Sequence, residues 1–265
     1  MAYVEWGDPA NPQVLICVHG LTRNARDFDA LAQVLAADYR VVCPDVTGRG
    51  RSDWLEVKSD YDFPLYISDM ITLLARLGVE QVDWVGTSMG GIIGMLIASQ
   101  PRNPIRHLVL NDIGPLITAA SLRRIGEYVG CAPLFRNLDE VEQYVRCINA
   151  PFGRLTDAQW RHLARYSVRQ TGDGLVSCYD PALSEPLSKA PITVDTDLWS
   201  VYDQIKCPTL AIHGVESDLL LPAVWQEMAT RGPKAALVEF PDAGHAPALM
   251  EARQIAAIRD FLVGA

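Results

Sequence analysis

Blocks of apolar and polar positions alternate over the first 114 residues. Gln13-Val14-Leu15-Ile16-Cys17-Val18 is a short run of β-formers ending at His19-Gly20. Ala25 to Ala37 then carries Phe28, Leu31, Val34 and Leu35 at helical spacing, and Tyr39-Arg40-Val41-Val42-Cys43 predicts a second strand ended by Pro44-Asp45. Pro64 opens a helix with Ile67, Met70, Ile71, Leu74 and Leu77 on one side, stopped by Gly78. Gln81–Val85 reads as a third strand, Met89–Gln100 as a helix of small residues and Ile105–Leu110 as a fourth strand. After Gly114-Pro115 the strands stop. Short helices follow, broken by Pro133, Pro151, Gly153, Pro181, Pro186 and Pro191. The alternation resumes with Pro208–Ile212 and Ala236–Phe240, and a helix carrying Ile255, Ile258 and Phe261 ends the chain.

Near-continuous apolar strands separated by helices predict an α/β fold, a mostly parallel central sheet flanked by helices. Its core is built from residues 1–114 and 205–265, and a helical insertion occupies 115–204. Composition narrows the partners. The chain has 265 residues, 49% of them apolar and 21% charged, enough for a large core without staples. Its 23 basic against 32 acidic residues leave a net charge of −9, which repels phosphate backbones and argues against nucleic acid. No apolar run reaches the ~20 residues that span a bilayer, and Met1–Pro9 lacks the basic and apolar regions of a signal peptide. The six cysteines form no C-x-x-C pair, and Cys17 and Cys43 sit in strand-like runs, so a reduced, cytoplasmic protein is expected. No metal-ligand spacing and no dinucleotide fingerprint occurs; Gly48-Arg49-Gly50 lacks the third glycine and the helix. No cofactor or metal is implied, and the partner expected is a small-molecule substrate of a monomer or dimer.

The chemistry concentrates in Gly86-Thr87-Ser88-Met89-Gly90-Gly91, a G-x-S-x-G pattern lying between a predicted strand and a predicted helix. Glycines two before and two after the serine allow a strained turn that lifts Ser88 Oγ above the sheet. A serine hydroxyl needs a base, itself oriented by an acid. His245, in Asp242-Ala243-Gly244-His245-Ala246-Pro247, follows the last strand and is the predicted base. Asp218, in Gly214-Val215-Glu216-Ser217-Asp218, follows the strand before it and is the predicted acid, with Glu216 and with Asp112, just past Ile105–Leu110, as the other candidates. Oxyanion donors are expected from the N–H of Met89 and from the His19-Gly20-Leu21-Thr22 loop, Leu21 ahead of Thr22. His19 is read as a brace for that loop and His213 as structural.

With these residues in view, the chain resembles the α/β-hydrolase fold over essentially its whole length. The matching pieces are His19-Gly20, Asp45-Val46-Thr47-Gly48-Arg49-Gly50-Arg51-Ser52, the Ser88 turn, Asp218 with Pro222 four residues on, and Gly244-His245. The resemblance implies a catalytic triad and a cap over the site, supplied by 115–204. It departs in one respect, since family members usually carry an extra N-terminal hairpin strand and this chain begins almost at Tyr3-Val4-Glu5-Trp6-Gly7. Ser88 argues against the haloalkane dehalogenases and epoxide hydrolases of the fold, which use Asp. The expected activity is hydrolysis of carboxylic esters of small to medium substrates through an acyl-enzyme. The alternatives are C–C bond or enol-lactone hydrolysis of a carboxylate-bearing substrate, and a slow-turnover ligand receptor. Arg123, Arg124, Arg136, Arg146, Arg154, Arg161, Arg165 and Arg169 crowd the first half of the insertion. One of them clamping a substrate carboxylate would favour the C–C or lactone reading, whereas a solvated helical face is the simpler account.

Overall fold

The computed structural model describes residues 1–188 and 191–264. Residues 189–190 of the predicted insertion and residue 265 of the predicted core lie outside the described residues. The chain opens with β1 (Tyr3–Trp6), β2 (Val14–Val18), a 3-10 turn over Ala25–Phe28, α1 (Asp29–Leu35) and β3 (Arg40–Pro44). Next come α2 (Phe63–Leu77), β4 (Val82–Thr87), α3 (Met89–Ala98) and β5 (Ile105–Asn111). Helix α2 starts where Asp62 accepts from Leu65 N–H and stops at Gly78, whose φ of 69° is left-handed, as its Pro64 and Gly78 predict.

Between β5 and the next long strand lie β6 (Leu116–Ile117), α4 (Ala119–Tyr128), β7 (Leu134–Phe135), α5 (Leu138–Ile148), α6 (Asp157–Tyr166), β8 (Val168–Gln170), β9 (Leu175–Ser177), α7 (Glu185–Ser188), β10 (Thr196–Asp197) and α8 (Trp199–Tyr202). The insertion is therefore not purely helical. Strands β7, β9 and β8 pair antiparallel, as do β10 and β6. At two or three residues each they are too short to leave an alternating pattern in the sequence. The core closes with β11 (Thr209–Gly214), α9 (Pro222–Met228), β12 (Ala236–Phe240) and α10 (Ala252–Val263).

The main sheet has the order β1-β3-β2-β4-β5-β11-β12 and is parallel except for β1, which runs antiparallel to β3. Both faces are covered, which is why β2 and β11 are buried along their whole lengths. Ile16 and Val18 face a cluster containing Met70, Trp84 and Ile93 of α2, β4 and α3. Leu15 and Cys17 face Phe28, Leu31, Ile258 and Leu262 on the α1 and α10 side. Part of the insertion shares the first cluster through Ile117, Ile125 and Leu183; the rest packs Phe135, Val141 and Trp160 against Met250. From β2 the chain steps outward to β3 and then returns to the other side of β2 with β4. That reversal opens a crevice beyond the carboxyl ends of β2 and β4, the position in such sheets where ligands bind.

Close packing shapes both loops at that crevice. A Cβ added to Gly90 would lie 2.0 Å from Val18 O, and one on Gly86 would lie 2.3 Å from Gly90 O. Only glycine lets α3 sit this close to β2 and β4. His19, fully buried, ties the β2 loop down: Nδ1–H donates to Gly20 O at 2.7 Å and Nε2 accepts from Val46 N–H at 3.0 Å. Burial pushes its pKa down to about 4, against the nearby Asp45 carboxylate. It thus braces the loop as a neutral imidazole.

Gly90→Ala should destabilise the protein by about 2 kcal/mol or more in urea unfolding, because the clash is with backbone. The His19 shift sets a second expectation. Below pH 6.5 the unfolded chain takes up a proton on His19 that the folded chain resists down to about pH 4. Stability therefore falls as pH drops through that window, and His19→Gln should reduce the loss between pH 7 and 5 by about 2 kcal/mol in the same assay.

Candidate active site

Three strand ends bring their side chains together at the crevice. Ser88 joins β4 to α3 with φ 52° and ψ −116°, a left-handed backbone that costs a non-glycine residue about 1–3 kcal/mol. Its polar backbone is nonetheless satisfied. Ser88 N–H donates to Asn111 O at 3.1 Å, and Ser88 O accepts from Gly91 and Ile92 N–H at 2.8 and 3.1 Å. Trp84 Nε1–H, donating to Gly90 O at 3.0 Å, holds the first turn of α3 from below.

His245 reaches in from the loop after β12. Its Nε2 lies 2.9 Å from Ser88 Oγ and its Nδ1 lies 2.8 Å from Asp112 Oδ2. An ionised carboxylate only accepts, so Nδ1 carries the ring proton and Nε2 accepts from the Ser88 hydroxyl. Asp112, just past β5, has no exposed surface. Its Oδ1 accepts from Gly214 N–H at 2.8 Å, and its Oδ2 accepts from Ser217 Oγ–H as well as from the imidazole. Asn111 steadies the assembly by donating to Thr87 Oγ1 at 3.0 Å and to Pro247 O at 2.9 Å, so that one side chain spans the Ser88 and His245 loops.

The sequence predicted Ser88 with His245, and the structure brings them together. It does not bring Asp218 to them. Asp218 has a side chain 53% exposed and paired with Arg124, and Glu216 in the same turn is also exposed. The physical reason is the path of the turn after β11. Ser217 Oγ points inward to Asp112 and accepts from Leu219 and Leu220 N–H at 3.2 and 3.1 Å, which leaves Asp218 facing outward. Asp112 is one of the two other candidate acids, with Glu216, and its signal is its place directly after a buried strand. Ser217 and Asn111 carry no such signal, since a lone hydroxyl or amide has no sequence signature of this role.

Leu21 and Met89 both line the cavity beside Ser88, and Thr22 does not. A Cβ built on Gly20 would sit 3.7 Å from Ser88 Cβ, so this loop packs directly on the serine. Met89 opens α3, where the amide N–H has no acceptor within the helix. The cavity measures about 380 Å³. Its walls are mainly apolar: Ile92 and Leu96 of α3, Ile113, and Ile117, Leu122 and Leu198 of the insertion. None of the eight arginines of the insertion lines it. Arg124, Arg136, Arg146, Arg154 and Arg161 are paired with acids, Arg123 bonds Ile192 O, and Arg165 and Arg169 lie over the rings of Tyr166 and Trp54. The arginine that does reach the cavity is Arg49, from the loop after β3. His213 is buried, stacks on Trp225 and meets Leu220 O through Nε2 at 3.1 Å, as a structural histidine does.

Residues 15–258 match the alpha/beta hydrolase family. A 3-hydroxybutyrate-oligomer hydrolase of Cupriavidus necator is 49% identical to this chain, over all of it and 93% of that protein. Among solved structures, a protein from Rickettsia typhi superposes with a TM-score of 0.93 at 39% identity, covering 99% of this chain and 90% of that one. An alpha/beta hydrolase from Novosphingobium aromaticivorans gives a TM-score of 0.88 at 36% identity, over 99% of this chain and 93% of that one. The sheet order, the strained serine between β4 and α3 and this match over most of the length lead to one conclusion: the chain belongs to the alpha/beta hydrolase family.

Proposed function

We propose that this hydrolase is a serine esterase that cleaves short oligomers of 3-hydroxybutyrate or closely similar hydroxyacyl esters through an acyl-enzyme. The observation that carries the reading is the Ser88 Oγ–His245 Nε2 contact of 2.9 Å, backed by Asp112, at the wall of an apolar cavity of about 380 Å³. A cavity of that size suits a small ligand. The substrate class is suggested by the Cupriavidus necator relative, whose likeness extends over the whole chain.

In this mechanism Ser88, His245 and Asp112 form the catalytic triad. Ser88 Oγ attacks the ester carbonyl carbon while its proton passes to His245 Nε2. Buried Asp112 holds the imidazole in the right tautomer and stabilises the imidazolium. The N–H groups of Leu21 and Met89 receive the developing oxyanion. His245 then returns its proton to the leaving alkoxide, the acyl–oxygen bond breaks, and an alcohol departs. Water, deprotonated by His245, attacks the acyl-enzyme, and the carboxylic acid is released as Ser88 regains its proton. The insertion acts as a cap whose Ile117, Leu122 and Leu198 shape the acyl pocket. No helix among the described residues is long and apolar enough to cross a membrane. The six cysteines are free thiols, which supports the cytoplasm as the working compartment.

Acid release from the 3-hydroxybutyrate dimer and trimer, followed by pH-stat, tests the reading. Wild type should turn over many times, and Ser88→Ala should lose at least about 10³-fold in kcat/KM. Single-equivalent release, or full activity in Ser88→Ala, would overturn it. Asp112→Asn should lose about 10²- to 10⁴-fold, whereas Asp218→Asn should stay within about 3-fold of wild type. The reverse pattern would return the acid role to Asp218.

A further inference from the structure

Arg49 is a fully buried cation in the wall of the cavity. Among the described residues none of the ion pairs includes it, although Lys58, which shares the Tyr61 ring with it, is paired with Asp180. The acid whose charge it feels most is Asp180, already held by Lys58 Nζ and by Tyr61 Oη–H. Asp62 also lines the cavity, but it is exposed and caps α2. What Arg49 does hold is neutral: Nε–H donates to Leu21 O at 2.9 Å, Nη1–H to Thr47 O at 2.7 Å, and Nη2 meets the weak acceptor Met89 Sδ at 3.4 Å. The rings of Tyr66 and Tyr61 lie 4.8 and 5.9 Å from its guanidinium carbon. A guanidinium has five N–H donors in a planar fork suited to a carboxylate. Tyr66 is a further side-chain hydrogen-bonding partner, so the groups that Arg49 bonds among the described residues are all neutral and none is a carboxylate.

A buried charge without a counter-ion is costly, and an arriving anion removes that cost. We propose that Arg49 is a carboxylate subsite: it binds the free carboxylate of a substrate or product whose reacting ester sits at Ser88. Arg49 and Ser88 line the same cavity, and Arg49 touches the Sδ of Met89, the residue after Ser88. The inference deepens the esterase reading and rests on it, since a linear hydroxyacid oligomer carries one free carboxylate at its end. Burial lowers the pKa of Arg49 from its ordinary value, and a bound carboxylate would oppose that shift.

The test compares the 3-hydroxybutyrate dimer with its terminal carboxamide, which is neutral and keeps the same internal ester. Wild type should favour the carboxylate by about 10- to 100-fold in kcat/KM. Arg49→Gln should abolish that preference by lowering the rate on the dimer more than on the carboxamide, and Arg49→Lys should keep part of it. Equal rates on the two substrates in wild type would overturn the subsite while leaving the esterase standing. So would an equal loss on both in Arg49→Gln, because that is the signature of a residue that only positions the Leu21 loop. Calorimetry with 3-hydroxybutyrate and its carboxamide makes the same comparison without turnover. A protein that hydrolyses no ester would therefore refute the esterase reading, and selective binding of the anion would still decide the subsite.

Discussion

The left-handed backbone at Ser88 is the constraint on which the rest of the site depends. Such a conformation persists only where the surroundings over-determine it. Here they do so by close approach: α3 lies so near β2 and β4 that Gly90 and Gly86 have no room for a side chain. Trp84 fastens the first turn of α3 from beneath, and Asn111 O anchors Ser88 N–H from the neighbouring strand. Strain of a few kcal/mol is thereby spread over a densely packed junction, and the hydroxyl is held clear of the sheet.

A raised serine is useful only if a base meets it at hydrogen-bond distance, and that depends on loops far apart in the chain. The loops after β5, β11 and β12 meet around Asp112. Its carboxylate collects Gly214 N–H, Ser217 Oγ–H and the His245 imidazole, so one buried acid organises three loops. Asn111, one residue earlier, reaches both Thr87 and Pro247. Through these two side chains the position of His245 is referred back to the end of β5, while Pro151 O and Phe152 O of the insertion hold its loop through Gly244 and Ala248 N–H.

Electrostatics divide the molecule in a similar way. Five of the insertion's arginines satisfy their charge in pairs with Asp and Glu, and the exposed ones, such as Arg136–Glu140 and Arg161–Asp139, are screened by solvent and contribute little. Arg49 is different, being enclosed among Tyr61, Tyr66, Met89 and two carbonyls. It also grips Leu21 O, so the loop beside Ser88 is fixed by a side chain from a different strand end.

Much of this was legible in the chain itself. The apolar runs at Val14–Val18, Val82–Thr87 and Thr209–Gly214 identify their strands because buried parallel strands need apolar residues on both faces. The spacing of glycines around Ser88 identifies the turn because few residues tolerate that geometry. The short strands of the insertion escaped, being held by pairing partners and not by a pattern of their own. Asp112 and Asp218 were nearly equivalent in one dimension, each just past a predicted strand. Their difference lies in which way each turn points its side chains, one buried under three donors and the other exposed beside Arg124. The sequence by itself determined the parallel strands of the sheet, the serine turn and the histidine, because local stereochemistry and periodicity dictate them; the antiparallel β1 is held by its pairing with β3. Only the tertiary structure decided which acid meets the histidine and which arginine meets the cavity, because both are contacts between segments whose sequences carry no record of their distance in space.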